Sequence, residues 1–206
     1  MTTALPAAVL EGAAAFGPVA WYVFVMTATP GPNNAMLAAS GMNFGFRRSV
    51  PHIAGIVGGW LTLLAGCALG LGVAFQSLPF AEKALAVAGS LYLAYLAWRI
   101  ANAGAPTSAE GAKPLSFLEA FGFQFMNPKG WVLALTAATL APAVYGPGGA
   151  AAALVAIGVV VGVPTMSAWT CFGAGLARLF RDARWRRRIN WTLAAMLLLT
   201  IPFMFR

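Results

Sequence analysis

Lys129 lies in an otherwise apolar run, with Asn127 and Pro128 before it and Gly130 after it. A lone ammonium in such a run is costly enough to need a partner or a task. Its plain structural reading is a lysine that snorkels to the membrane surface. A second group of polar residues, Asn33 and Asn34, follows the segment Thr29-Pro30-Gly31-Pro32. Amides and an ammonium beside interrupted backbone point to reversible binding rather than bond-making. The segments that start near Asn33 and Lys129 would turn unpaired N–H groups and partial positive charge toward one anionic guest, and a carboxylate suits that field. A guest that also carried an ammonium would find no carboxylate partner nearby. Carbonyls exposed at helix breaks could hold it instead, as could the faces of Trp60 or Tyr92.

Groups able to carry a proton are few. His52 and Glu119 stand near the starts of two apolar runs. An unperturbed histidine titrates near neutral pH, which suits it to coupling, although a hydrogen-bonded structural histidine is the commoner case. Cys67 and Cys171 occupy roughly equivalent places in the two halves, so a membrane thiol–disulfide carrier is the alternative reading. Against it, no charge near either thiol would activate it. The ligand clusters that a metal exporter needs are missing from the apolar runs. A single histidine with no intramembrane acid to orient it speaks against a hydrolase. The expectation is a transporter, not an enzyme, with no cofactor and no metal.

The elements that must place these residues are membrane helices. Of 206 residues, 60% are hydrophobic and 9% charged, where a soluble domain has about a quarter charged. No Asp, Glu, Lys or Arg occurs between Glu11 and Arg47, between Arg48 and Glu82, or between Lys129 and Arg178. A bilayer span takes about 20 apolar residues, so several fit. No Lys or Arg precedes the first apolar stretch, which runs on into a further helix; a cleaved signal peptide is not expected.

The expected fold is an all-α integral membrane protein of six transmembrane helices. Span one starts at Gly17–Ala28, breaks at Thr29–Asn33 and resumes to Met42; span two covers Val50–Phe75 and span three Ala84–Ile100. Residues 102–116 form the one polar loop long enough to divide the chain. Span four, Phe117–Leu140, breaks at Asn127–Gly130; a turn at Pro142–Gly149 leads to span five, Ala150–Leu176. The basic segment Arg178–Arg188 precedes a short last span, Ile189–Phe205. Proline removes a donor and glycine permits turns that a helix cannot make, which explains both breaks. Three spans per half make residues 13–101 and 117–206 two inverted repeats with broken first helices, an arrangement whose paired breaks point to a transport site.

The net charge of +8 does not indicate nucleic acid, because the basic residues gather at the ends of apolar runs. Arg47, Arg48, Arg99, Lys113 and the arginines from Arg178 to Arg188 fall on one side, Lys83 and Arg206 on the other. The positive-inside rule then puts both termini outside the cytoplasm of a bacterial inner membrane. The glycines of span two (Gly55, Gly58, Gly59, Gly66, Gly70), with Gly158 and Gly162 in span five, suit close helix packing. A homodimer through a glycine face is a further expectation.

Thr29-Pro30-Gly31-Pro32-Asn33-Asn34, then Gly45-Phe46-Arg47-Arg48-Ser49 with Gly55 and Gly58, resembles the lysine-exporter and homoserine/threonine-exporter family. Leu91 through Arg99 and Phe123 through Lys129 are similar to the same family, so the resemblance spans nearly the whole chain. It implies six transmembrane helices, efflux of small amino acids or derivatives, and coupling to the proton gradient. The stretch from Ala112 to Asn127 looks most like members that export cysteine and O-acetylserine. Where some members carry a polar or acidic residue in span two, this chain has Gly59 and Trp60.

Overall fold

The computed structural model describes residues 7–70, 79–103 and 113–205. The polar residues 104–112, the end of the expected second span and Arg206 lie outside these. All regular structure among the described residues is helical. α1 (Ala7–Ala28) and α2 (Pro32–Phe44) flank the first break, and α3 (Phe46–Ala68) follows a turn at Gly45. α4 (Pro79–Asn102) ends the first half. α5 (Phe117–Gln124) and α6 (Pro128–Ile157) flank the second break; a π-helical turn, Gly158–Gly162, joins α6 to α7 (Val163–Leu179). α8 (Ala183–Leu198) and a 3-10 turn at Ile201–Phe205 complete the chain.

Among the described residues, four stretches are long and apolar enough to cross a bilayer: Phe46–Ala68, Lys83–Asn102, Pro128–Leu179 and Ala183–Phe205. The third is 52 residues long, and as one straight helix would reach about 78 Å, far beyond a bilayer. Gly146 divides it, with φ 71 taking the backbone out of helical geometry. Residues on both sides, Ala137 and Ala141 before Gly146 and Leu154 and Ile157 after it, enter one apolar core. Trp21, Leu91, Leu118 and Val160 stay exposed, which suits lipid rather than water.

Several expected boundaries shift. The turn at Pro142–Gly149 contracts to Gly146, because Pro142 is accommodated within α6. The arginines 184 to 188 do not precede the last helix but form its first turns, started by the Asp182 side chain accepting from the Arg184 N–H at 2.8 Å. The π turn was not foreseen. It precedes Pro164, whose missing N–H leaves the Val160 carbonyl unpaired in α geometry; at the next residue Thr165 Oγ1 donates to the Val161 carbonyl.

Two close helix crossings set the frame. α2 lies on α7, where a Cβ on Gly41 would collide with the Thr170 carbonyl and one on Gly173 with the Ala38 carbonyl. α3 lies on α5, where Gly55 and Gly59 meet the carbonyls of Phe117 and Phe121 in the same way. Small residues let helix backbones approach where lipid offers no hydrophobic drive. Each crossing joins a helix before residue 104 to one after residue 112. Two large apolar clusters fill the interior, one around Leu37, Ile56, Leu93 and Phe123, the other around Val19, Trp60, Leu133 and Ile157, with a small third one at Ala38, Ala39 and Leu193.

Candidate substrate site at the two helix breaks

The first break is three residues long, Thr29, Pro30 and Gly31, because Pro32 already occupies the first turn of α2 and Asn33 is helical. α1 ends with carbonyls that no further turn can satisfy. Asn34 answers them from inside the protein: its Nδ2 donates to the Thr27 carbonyl at 2.9 Å and to the Thr29 carbonyl at 2.6 Å. Asn34 is buried, and its amide N–H groups go to the break itself. Asn33 takes a different partner. Its Nδ2 donates to Gln124 Oε1 at 2.9 Å, and Gln124 Nε2 returns a bond to Asn33 Oδ1 at 3.2 Å.

The second break sits earlier than the proline pattern indicates, at Phe125, Met126 and Asn127. Pro128, Lys129 and Gly130 are the first turn of α6, where a proline needs no N–H. Short-range bonds bridge the gap: the N–H groups of Phe125, Met126 and Asn127 donate to the carbonyls of Gly122, Phe123 and Gln124. Trp131 Nε1 donates to the Phe125 carbonyl at 2.8 Å. Asn127 Oδ1 is buried without a hydrogen-bond partner among the described residues.

Lys129 joins the two breaks. Its Nζ donates to the Thr29 carbonyl at 2.8 Å, to Thr29 Oγ1 at 2.9 Å and to the Pro30 carbonyl at 3.3 Å. An ammonium has three N–H groups, and all three are engaged. The cation therefore rests on the carbonyl end of α1, where the helix dipole is negative. In this conformation the ammonium is thus engaged by the protein's own oxygens. The stem of Lys129 also crowds Gly31, where a Cβ would lie 3.1 Å from Cδ.

Between the breaks is a cavity of about 40 Å³, lined among others by Asn33, Trp60, Gln124, Asn127 and Lys129. It is far smaller than the second cavity described below. It lies where the two apolar clusters meet, since Ile56 and Met166 on its wall belong to one and Trp60 and Leu133 to the other. Trp60 Nε1 is buried there without a partner among the described residues. Tyr92 is elsewhere, packed on Phe123 with ring centroids 5.8 Å apart.

A second cavity, of about 540 Å³, opens between α2, α4 and the start of α5. His52, Asn43, Tyr95, Arg99, Lys113 and Glu119 line it, so the structure brings His52 and Glu119 together but away from the breaks. Glu119 is committed: Ser116 and Glu119 form a reciprocal cap at the start of α5, and Arg99 Nη1 donates to Glu119 Oε1 at 3.1 Å. Neither ring nitrogen of His52 has a partner among the described residues, although the side chain is buried.

Gln124 and Trp131 shape the site and escaped the sequence reading. An amide in the aromatic stretch before Asn127 was the available signal for the first; nothing in the sequence marked the second. Cys67 is partly buried and Cys171 is exposed on α7, both as free thiols. Among the described residues no cluster of His, Cys, Asp or Glu could hold a metal ion.

Residues 24–205 match the LysE type translocator family, and the chain belongs to it. It is similar, at 34% identity over 184 residues, to the cysteine/O-acetylserine efflux protein of Escherichia coli K12, with 85% of this chain and 90% of that protein covered. Proteins of the same description from Escherichia coli O139:H28 (34% over 185 residues; 86% and 90% covered) and Shigella flexneri (34% over 184 residues; 85% and 90% covered) are similarly related. No solved structure matches the chain. The chain is thus a multi-pass inner-membrane transporter rather than an enzyme.

Proposed function

We propose that this transporter exports small amino acids or their derivatives from the cytoplasm, cysteine and O-acetylserine first and threonine- or homoserine-like solutes second. The observation that carries the reading is the contact of Lys129 with Thr29 and Pro30, which holds the two breaks against each other around a shared cavity. The efflux activity named for relatives that cover most of both chains supports the substrate class. Opening of the 40 Å³ cavity would admit the substrate to Asn127 Oδ1, the Asn33–Gln124 amide pair and Trp60 Nε1.

In this reading the chain crosses the membrane six times in two inverted repeats, about 13–101 and 117–206, with both termini outside the cytoplasm. α1 with α2 and α5 with the first part of α6 are the broken spans. The 540 Å³ cavity, lined by Arg99 and Lys113, is the cytoplasmic approach. The proton gradient drives export, with His52 as the carrier, because Glu119 is already held by Ser116 and Arg99. The reading includes a homodimer whose contact avoids Gly41, Gly55, Gly59 and Gly173, since these seat helices within one protomer.

The test is efflux of radiolabelled cysteine, O-acetylserine, threonine, homoserine, lysine and leucine from cells expressing the chain or Lys129→Ala at matched membrane levels. Selective efflux of a small amino acid that the variant loses is the expected result. Efflux of none of the six overturns the reading.

A further inference from the structure

The three oxygens around Lys129 form a receptor for a primary ammonium, and the protein itself fills it. Thr29 O, Thr29 Oγ1 and Pro30 O lie 2.8, 2.9 and 3.3 Å from Nζ, one acceptor for each N–H. No carboxylate takes part. The negative charge is that of oxygens just past the carbonyl end of α1, left open because the extended backbone at Gly31 interrupts the helix before the N–H groups of Asn33 and Asn34 could reach back to them. An amino-acid ammonium has the same donors and charge as the lysine tip. We propose that these oxygens are the substrate's ammonium subsite, that Lys129 occupies it in the substrate-free carrier, and that an incoming amino acid displaces it.

The inference rests on the export reading and deepens it. Exchange of one ammonium for another leaves every oxygen paired. The displaced lysine is then free for the substrate's carboxylate, and both charges of the zwitterion are matched without an acidic side chain. A tethered cation competes at an effective concentration of about millimolar or more, so a simple amine does not dislodge it. A substrate succeeds because it adds further contacts, Asn127 Oδ1 among them. An N-acylated amino acid lacks the cation and should be refused.

Two measurements test this. In the first, purified full-length protein and Lys129→Gln are melted with and without ethylammonium or tetramethylammonium, the latter having no N–H to donate. At ethylammonium about ten times its dissociation constant, the apparent Tm of Lys129→Gln should rise by about 3–5 °C while the wild type stays unchanged. Tetramethylammonium should move neither. Equal responses of the two proteins to ethylammonium, or no response of the variant, overturn the proposal. The second needs no variant: wild-type efflux of O-acetyl-L-serine is compared with that of its isomer N-acetyl-L-serine, in mildly acidic buffer that keeps the acyl group in place. O-acetylserine should leave at least about tenfold faster. Equal export of the isomers also overturns the subsite. Export of no amino acid, with ethylammonium still stabilising Lys129→Gln, sinks the export reading and leaves the ammonium receptor standing.

Discussion

The two helix breaks look alike in sequence and are held in opposite ways. The first is maintained from outside: its carbonyls at Thr27, Thr29 and Pro30 take donors from Asn34 in the next helix and from Lys129 in the other half of the chain. The second is maintained from within, by three short backbone bonds and by Trp131 of its own following turn. A self-contained break can keep its shape through a conformational change. A break that borrows its donors changes whenever the lender moves, so the first is the responsive partner and the second the fixed one.

Removal of the lender attacks this contrast most directly. Lys129→Ala withdraws a charged donor from two carbonyls and a hydroxyl, a contact class worth about 1.5–3 kcal/mol per bond, and should reduce efflux about 10- to 100-fold in the radiolabel assay. Pro30→Ala with Pro32→Ala restores two backbone donors and invites α1 to run into α2. Efflux should fall about tenfold with the protein still inserted; unchanged transport would show that the first break is not responsive. Asn34→Ala leaves the Thr27 carbonyl unpaired and should cost about 1–3 kcal/mol, read as a lowered Tm in detergent. Trp131→Phe removes one of several local supports of the second break. Its cost should be about 1 kcal/mol or less, with efflux within about twofold of wild type. A larger loss for Trp131→Phe than for Asn34→Ala reverses the assignment of fixed and responsive breaks.

Much of the plan was legible because its signals are local. Charge-free runs gave the helices, and prolines with adjacent asparagines gave both breaks to within three residues. The position of the second break was misread because a proline was taken as the interruption, whereas Pro128 starts the helix after it. Lys129 was singled out, but its partners were not, since the carbonyls of Thr29 and Pro30 belong to the opposite half and carry no side-chain signature. Gln124 did carry a signal, its side-chain amide, but its partner Asn33 lies in the opposite half and is not visible from local sequence. The glycines of α3 read as a packing face, yet their neighbour α5 could not be named from spacing alone. Local rules name the groups that need partners; tertiary structure names the partners.

The glycine crossings also bear on how the protein is made. Gly41 on α2 faces Thr170, and Gly173 on α7 faces Ala38, so a helix synthesised early must wait for one synthesised near the end. Insertion and final assembly are therefore separate events: α2 enters the bilayer long before the ribosome has delivered its mate. Meanwhile Ser40 can rely on its own neighbourhood through Ser49, whereas Asn43 has the Ala39 carbonyl at hand but waits for Asn190 on α8 to complete its pairing. A nascent chain halted before α7 should thus be embedded yet unassembled, and more open to a membrane protease than the finished protein.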